Sequence, residues 1–130
     1  MDALEPPQLA VLSARLDERE TELQAELRAA RAAAEARPRS AGPQVDDPVA
    51  QGEERLREGI EHAERRRDED ELIAIAAARE RIRLGRYGEC TDCGRPVGWA
   101  RLAVQPHAAR CRACQEVWER AHPTTLRAIT

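Results

Sequence analysis

Four cysteines constrain this chain more than any other feature. Cys90 and Cys93 are separated by two residues, as are Cys111 and Cys114, and seventeen residues lie between the pairs. Two such turns can converge on a single tetrahedral ion, the arrangement of a structural zinc site. Two disulfides, four unrelated buried thiols or a rubredoxin-like iron would use the same residues; the regular spacing and an expected reducing compartment favour zinc. Gly94 directly follows the first pair, where a small residue lets backbone N–H groups turn toward sulfur. Four thiolates fill the coordination sphere, so no position remains for an activated water and the metal is read as structural.

The surroundings of these cysteines fit that reading. Few apolar residues lie nearby beyond Val97, Trp99, Leu102 and Val104, so much of the folding free energy of this segment is expected to come from the metal, and chelation is expected to unfold it. Arg86, Arg95, Arg101, Arg110 and Arg112 are close enough in sequence to offset the negative charge of a zinc tetrathiolate. The same arginines invite a phosphate-binding reading, but Glu89 and Asp92 dilute the patch and no aromatic platform is interleaved with it. His107 lies near the second pair and is a bystander once four thiols are present; His62 and His122 show no ligand spacing.

The rest of the chain reads as long solvated helices. Charged residues make up 35% with both signs interspersed; of the 42% that are hydrophobic, 24 residues are alanine and none is phenylalanine. A thick globular core is therefore excluded. Leu9, Leu12, Leu16, Leu23, Leu27, Ala30 and Ala34 recur at helical spacing along Gln8 to Arg37, a span of about 30 residues or ~45 Å. Pro6 and Pro7 suit the entry to this helix and Pro38 stops it. After a turn from Pro38 to Asp47, the Asp47-Pro48 pair signals a second helix. Its seam runs through Leu56, Ile60, Ala63, Leu72, Ile75 and Ile82 to about Leu84, with Glu53–Arg57 and Glu61–Arg65 as supporting pairs and Gly85 closing it. Arg65 to Glu71 has no apolar residue and marks a stretch solvated on every side or a bend.

The expected fold is mainly α: a long antiparallel helical hairpin, or coiled coil, with a small C-terminal four-cysteine zinc-finger module and a short terminal helix. The boundaries are 1–84 for the hairpin, with its tip at about 38–48, 85–121 for the finger and terminal helix, and 122–130 for a tail. The alanine-rich seams allow close helix approach, and Val117 and Trp118 of the final helix are expected to dock on the hairpin base. A net charge of -3 gives no drive toward nucleic acid, so direct sequence-specific DNA binding is not expected. With no apolar run of membrane-spanning length and no secretory signal order, a cytoplasmic protein is expected. There is no nucleophile paired with a base, no phosphate loop and no open metal position, so no enzyme is expected.

The run Gly85, Tyr87, Gly88, Cys90, Cys93, Gly94, Arg101-Leu102, Pro106, Cys111 and Cys114 resembles the zinc-finger signature of the DksA/TraR family of bacterial transcription regulators. The hairpin is similar in length and placement to the coiled coil of the family's longer members. The resemblance implies a protein that binds RNA polymerase and inserts its coiled coil into the secondary channel, with acidic tip residues near the active site. The family's Asp-x-x-Asp-x-Ala tip falls here on Asp47, Ala50 and Gly52, and Asp46 is a candidate for the missing carboxylate. Where relatives that bind guanosine tetraphosphate carry basic side chains, this sequence has Ala74, Gln105 and Gln115, which speaks against a response to that nucleotide. A zinc-stapled coiled-coil adaptor without polymerase activity is the alternative, favoured by the altered tip.

Overall fold

A computed structural model describes residues 3–37 and 47–123. Four helices are formed: α1 (Pro6–Ala36), α2 (Pro48–Arg83), α3 (Trp99–Val104) and α4 (Arg112–Ala121). Proline occupies the first turn of both long helices, where its missing N–H costs nothing. Asp47 is the N-cap of α2, its Oδ1 accepting the N–H groups of Val49 and Ala50 at 3.1 and 3.2 Å. At the other end Gly85 takes φ +74, with the Gly85 N–H donating to the Ile82 carbonyl and the Arg86 N–H to that of Arg81. That is a Schellman stop, and it turns the chain into the finger.

Helices α1 and α2 run antiparallel. Arg79 pairs with Asp17, Arg19 with Glu71 and Arg37 with Glu61, so numbers fall along one helix as they rise along the other. Among the described residues the buried apolar cluster between the long helices lies at the base of the hairpin, where Leu16 and Leu23 of α1 are buried against Ile75 and Ala78 of α2, flanked by Leu72 and Ile82. Beside them the Arg19 guanidinium grips both carboxylate oxygens of Glu71, at 2.7 and 3.1 Å.

Toward the tip the seam differs from the expected one. Leu56 is 66% and Ile60 51% exposed, and Ala30, Ala34 and Ala63 are exposed as well. The reason is phase. Counting back in sevens from Ile82 and Ile75 lands on Asp68, Glu61 and Glu54, and these acidic positions face α1. Arg37 accordingly pairs with Glu61 at 2.7 Å and with Glu54 at 3.6 Å, while Arg57 pairs with Glu54 rather than Glu53. Glu26 shares a hydrogen bond with Asp68; lost solvation and that carboxyl neighbour push Glu26 above its ordinary range. Ala30, Ala33 and Ala34 line a cleft of about 410 Å³ with Glu61, Glu64 and Asp68. Helix α2 nevertheless continues unbroken through Arg65 to Glu71.

The finger joins the hairpin through one buried cluster, Leu12 of α1 with Cys90, Val97, Leu102 and Ala108. Arg15 donates across this junction to the Ala103 carbonyl, and within the finger the Tyr87 hydroxyl donates to the Pro106 carbonyl, each at 2.7 Å. Burial pushes the Tyr87 phenol up to about 12, keeping it a neutral donor. The expected docking of Val117 and Trp118 on the hairpin base is not found. Val117 is 62% exposed, and the Trp118 ring stacks on His122 at 4.1 Å with the Arg110 guanidinium 5.2 Å from its centroid. Helix α3, through Leu102, takes the place assigned to α4.

Truncation separates the two halves of the arm. Leu16→Ala, Leu23→Ala or Ile75→Ala should each lower stability by about 2–4 kcal/mol in denaturant unfolding, whereas Leu56→Ala or Ile60→Ala should change it by less than about 0.5 kcal/mol. Equal losses would restore the uniform leucine seam.

Candidate metal centre

The finger places its cysteines on two unlike supports. Cys90 and Cys93 lie on a tight turn whose base is a bridge between Glu89 and Pro96, with the Cys90 N–H donating to the Arg95 carbonyl at 2.8 Å. Gly94 has φ +76 and its N–H returns to the Cys90 carbonyl at 2.9 Å. A side chain at this left-handed position would be strained, which accounts for the glycine after the first pair. Cys111 is the N-cap of α4 and Cys114 lies in its first turn, where the helix dipole favours negative charge. The Thr91 N–H donates to the Ala109 carbonyl at 2.9 Å and ties the two supports together.

All four sulfurs lie within 4.8 Å of one another. This chemistry asks for a cation. Burial pushes the Cys90 thiol up, but backbone N–H groups of Cys111, Cys93 and Asp92, together with the Cys93 thiol, outweigh it and bring Cys90 down to about 6. Cys114 moves the other way, to about 12, through hydrogen bonds with Cys111 and Cys90, burial, and the nearby Cys93. Four sulfurs this close cannot all ionise without a positive ion among them. Soft donors, tetrahedral number and thiolate-directed N–H groups fit zinc.

Of the five arginines near the site, Arg101 and Arg110 brace its loops and Arg112 is paired within α4. Arg101 Nε donates to the Arg110 carbonyl at 2.9 Å, Arg110 Nε to Asp92 at 2.8 Å, and Arg112 pairs with Glu116 at 3.6 Å. Asp92 and Arg101 thus position the first and second cysteine pairs, a role that no spacing in the sequence announces. His107 lies outside the four-sulfur group. It packs in the cleft where the finger meets α1 and α2, beside Arg19 and Glu71, and burial holds its pKa below the ordinary value. Asp47 is exposed and engaged as a cap, and Asp46 lies outside the described residues. Ala74 is half-buried, Gln105 is exposed, and Gln115 donates to Glu119 at 3.2 Å.

Fold and site together define a helical-hairpin protein with a four-cysteine zinc finger. Residues 85–120 match the model of the prokaryotic dksA/traR C4-type zinc finger. An uncharacterized protein of Haemophilus influenzae is 38% identical over 77 residues, covering 58% of this chain and 92% of that protein. The structure of transcription factor DksA2 from Pseudomonas aeruginosa superposes with a TM-score of 0.71 at 26% identity, covering 92% of this chain and 88% of that one. The chain belongs to the DksA/TraR family, whose members are regulatory factors, and it carries one structural zinc. Among the described residues no helix is long and apolar enough to cross a membrane.

Bracing and charge compensation predict different mutants. Arg101→Ala, which frees the Arg110 carbonyl, should weaken zinc in chelator competition by roughly tenfold, while Arg95→Ala at an exposed position should leave it unchanged. Equal weakening by both would favour charge compensation.

Proposed function

We propose that this chain regulates transcription by binding bacterial RNA polymerase and inserting the hairpin of residues 1–84 into the secondary channel. Zinc, held by Cys90, Cys93, Cys111 and Cys114, anchors the base. The observation that carries the reading is the combination of the family's zinc finger with a two-helix arm of the required reach. Helices of 31 and 36 residues correspond to about 46 and 54 Å at 1.5 Å per residue. Only two helices thick, the arm suits a narrow pore. With its sulfurs directed to one closed structural ion, the chain offers no nucleophile or open metal position at its site, so its effect is electrostatic and steric rather than catalytic.

In this reading the tip carboxylates Asp46 and Asp47 approach the polymerase active site. One observation favours the adaptor alternative: the described Asp47 carboxylate caps α2, and the residue three further on is Ala50 rather than a second acid. Cap and effector can be separated by chemistry, because asparagine caps as well as aspartate but carries no charge.

Zinc-loaded protein should co-purify with core RNA polymerase and be displaced by an established secondary-channel factor; no binding at micromolar concentration would sink the proposal. Asp47→Asn should keep hairpin stability and binding while losing the effect on promoter-complex lifetime. An unchanged effect would leave Asp47 as a cap alone.

A further inference from the structure

The segment before α1 makes a contact that neither the sulfur cluster nor the arm explains. Glu5 is the N-cap of α1, Pro6 and Pro7 follow it, and Gln8 Oε1 accepts the Glu5 N–H at 3.0 Å. Two prolines and a cap bond leave this entry little freedom. The preceding residue, Leu4, is thereby aimed across the helix end, where it lines one cleft with Leu9, Ile82, Tyr87 and Pro96. Leu4 and Leu9 occupy the two positions of a hydrophobic staple.

Leu4 also reaches the finger. A Cβ placed at Gly88 would stand 3.0 Å from Leu4 Cδ1 and 3.5 Å from its Cγ, so leucine and backbone are in direct contact. Gly88 has φ +91, and its carbonyl accepts the Val97 N–H at 2.7 Å beside the Glu89–Pro96 bridge. This is the base of the turn that carries Cys90 and Cys93. Leu4 further packs against the buried cluster that contains Cys90, which is 3% exposed, whereas Cys93 is exposed and Cys111 and Cys114 are half-buried. A chelator therefore meets Cys93 first, and complete release waits on local opening around Cys90.

We propose that Leu4 is a strap that holds the Gly88 turn closed over Cys90, and that its undocking limits the rate at which zinc leaves the finger. The inference rests on the four cysteines as ligands. It assigns the N-terminal segment a kinetic task in metal retention, separate from polymerase binding.

The test compares zinc-loaded full-length wild type, Leu4→Ser, Leu4→Met and Val11→Ser, each first assayed for one zinc per chain and for helicity. Release to an excess of a colorimetric zinc chelator is then followed in time. Leu4→Ser should release zinc faster by on the order of tenfold, the factor corresponding to losing part of a leucine's burial. Leu4→Met should restore slow release, and Val11→Ser, at a 44% exposed site on the same helix end, should match wild type. An unchanged rate in Leu4→Ser, or equal acceleration in Val11→Ser, overturns the strap. If Leu4→Ser lost its helicity, Leu4→Ala would take its place, and a wild-type release rate in that variant would overturn the strap. Wild type without zinc would overturn the ligand assignment, and the strap with it.

Discussion

Four sulfurs held within 4.8 Å of one another repel once ionised, and the finger is built around that repulsion. Their supports are a glycine-dependent turn and a helix N-terminus, both of which aim N–H groups or dipole at sulfur. Those dipoles favour ionisation at Cys90 but cannot satisfy four thiolates, as the upward displacement of Cys114 makes plain. A divalent cation resolves the conflict. The cluster of Leu12, Val97, Leu102 and Ala108 then closes around Cys90 and transmits the order of the finger to the first turns of α1.

From that base the hairpin changes character along its length. Near the finger, leucine and isoleucine pack and Arg19 clamps Glu71, which holds that carboxylate below its usual range. Farther out, heptad positions that would carry leucine carry Asp68, Glu61 and Glu54, and the contacts become partly solvated ion pairs of modest worth. The two long helices are therefore held by the base while the distal arm contributes reach and charge. Apolar side chains there, such as Val49 and Leu56, are exposed on α2. Among the described residues the arm is thus apolar at its root and charged farther out.

Much of this was legible from residue types at fixed spacing. The cysteine pairs announced the metal, Asp47-Pro48 and Gly85 marked the ends of α2, and α4 is the expected short terminal helix. What failed was phase. Leu56 and Ile60 look like seam residues when read beside Leu72 and Ile75, but the acidic stretch between them leaves nothing to lock the register, and ion pairs across Arg37 decide which face turns inward. Trp118 misled for a related reason: a large aromatic suggests packing against the largest neighbour, yet His122 four residues on gives it a local stacking partner. The bracing by Arg101 and Asp92 and the Leu4 contact join residues distant in sequence, and no local pattern signals them.

Metal binding organises the finger, and through Leu12 and Leu102 the root of the arm. Hydrogen–deuterium exchange of the zinc-loaded chain before and after chelation tests it most directly. On chelation, amides across residues 85–121 should lose protection together and the first turns of α1 part of theirs, while the α1–α2 contacts around Leu23 and Ile75 keep it. A finger that remains protected without zinc would show that the metal does not organise it.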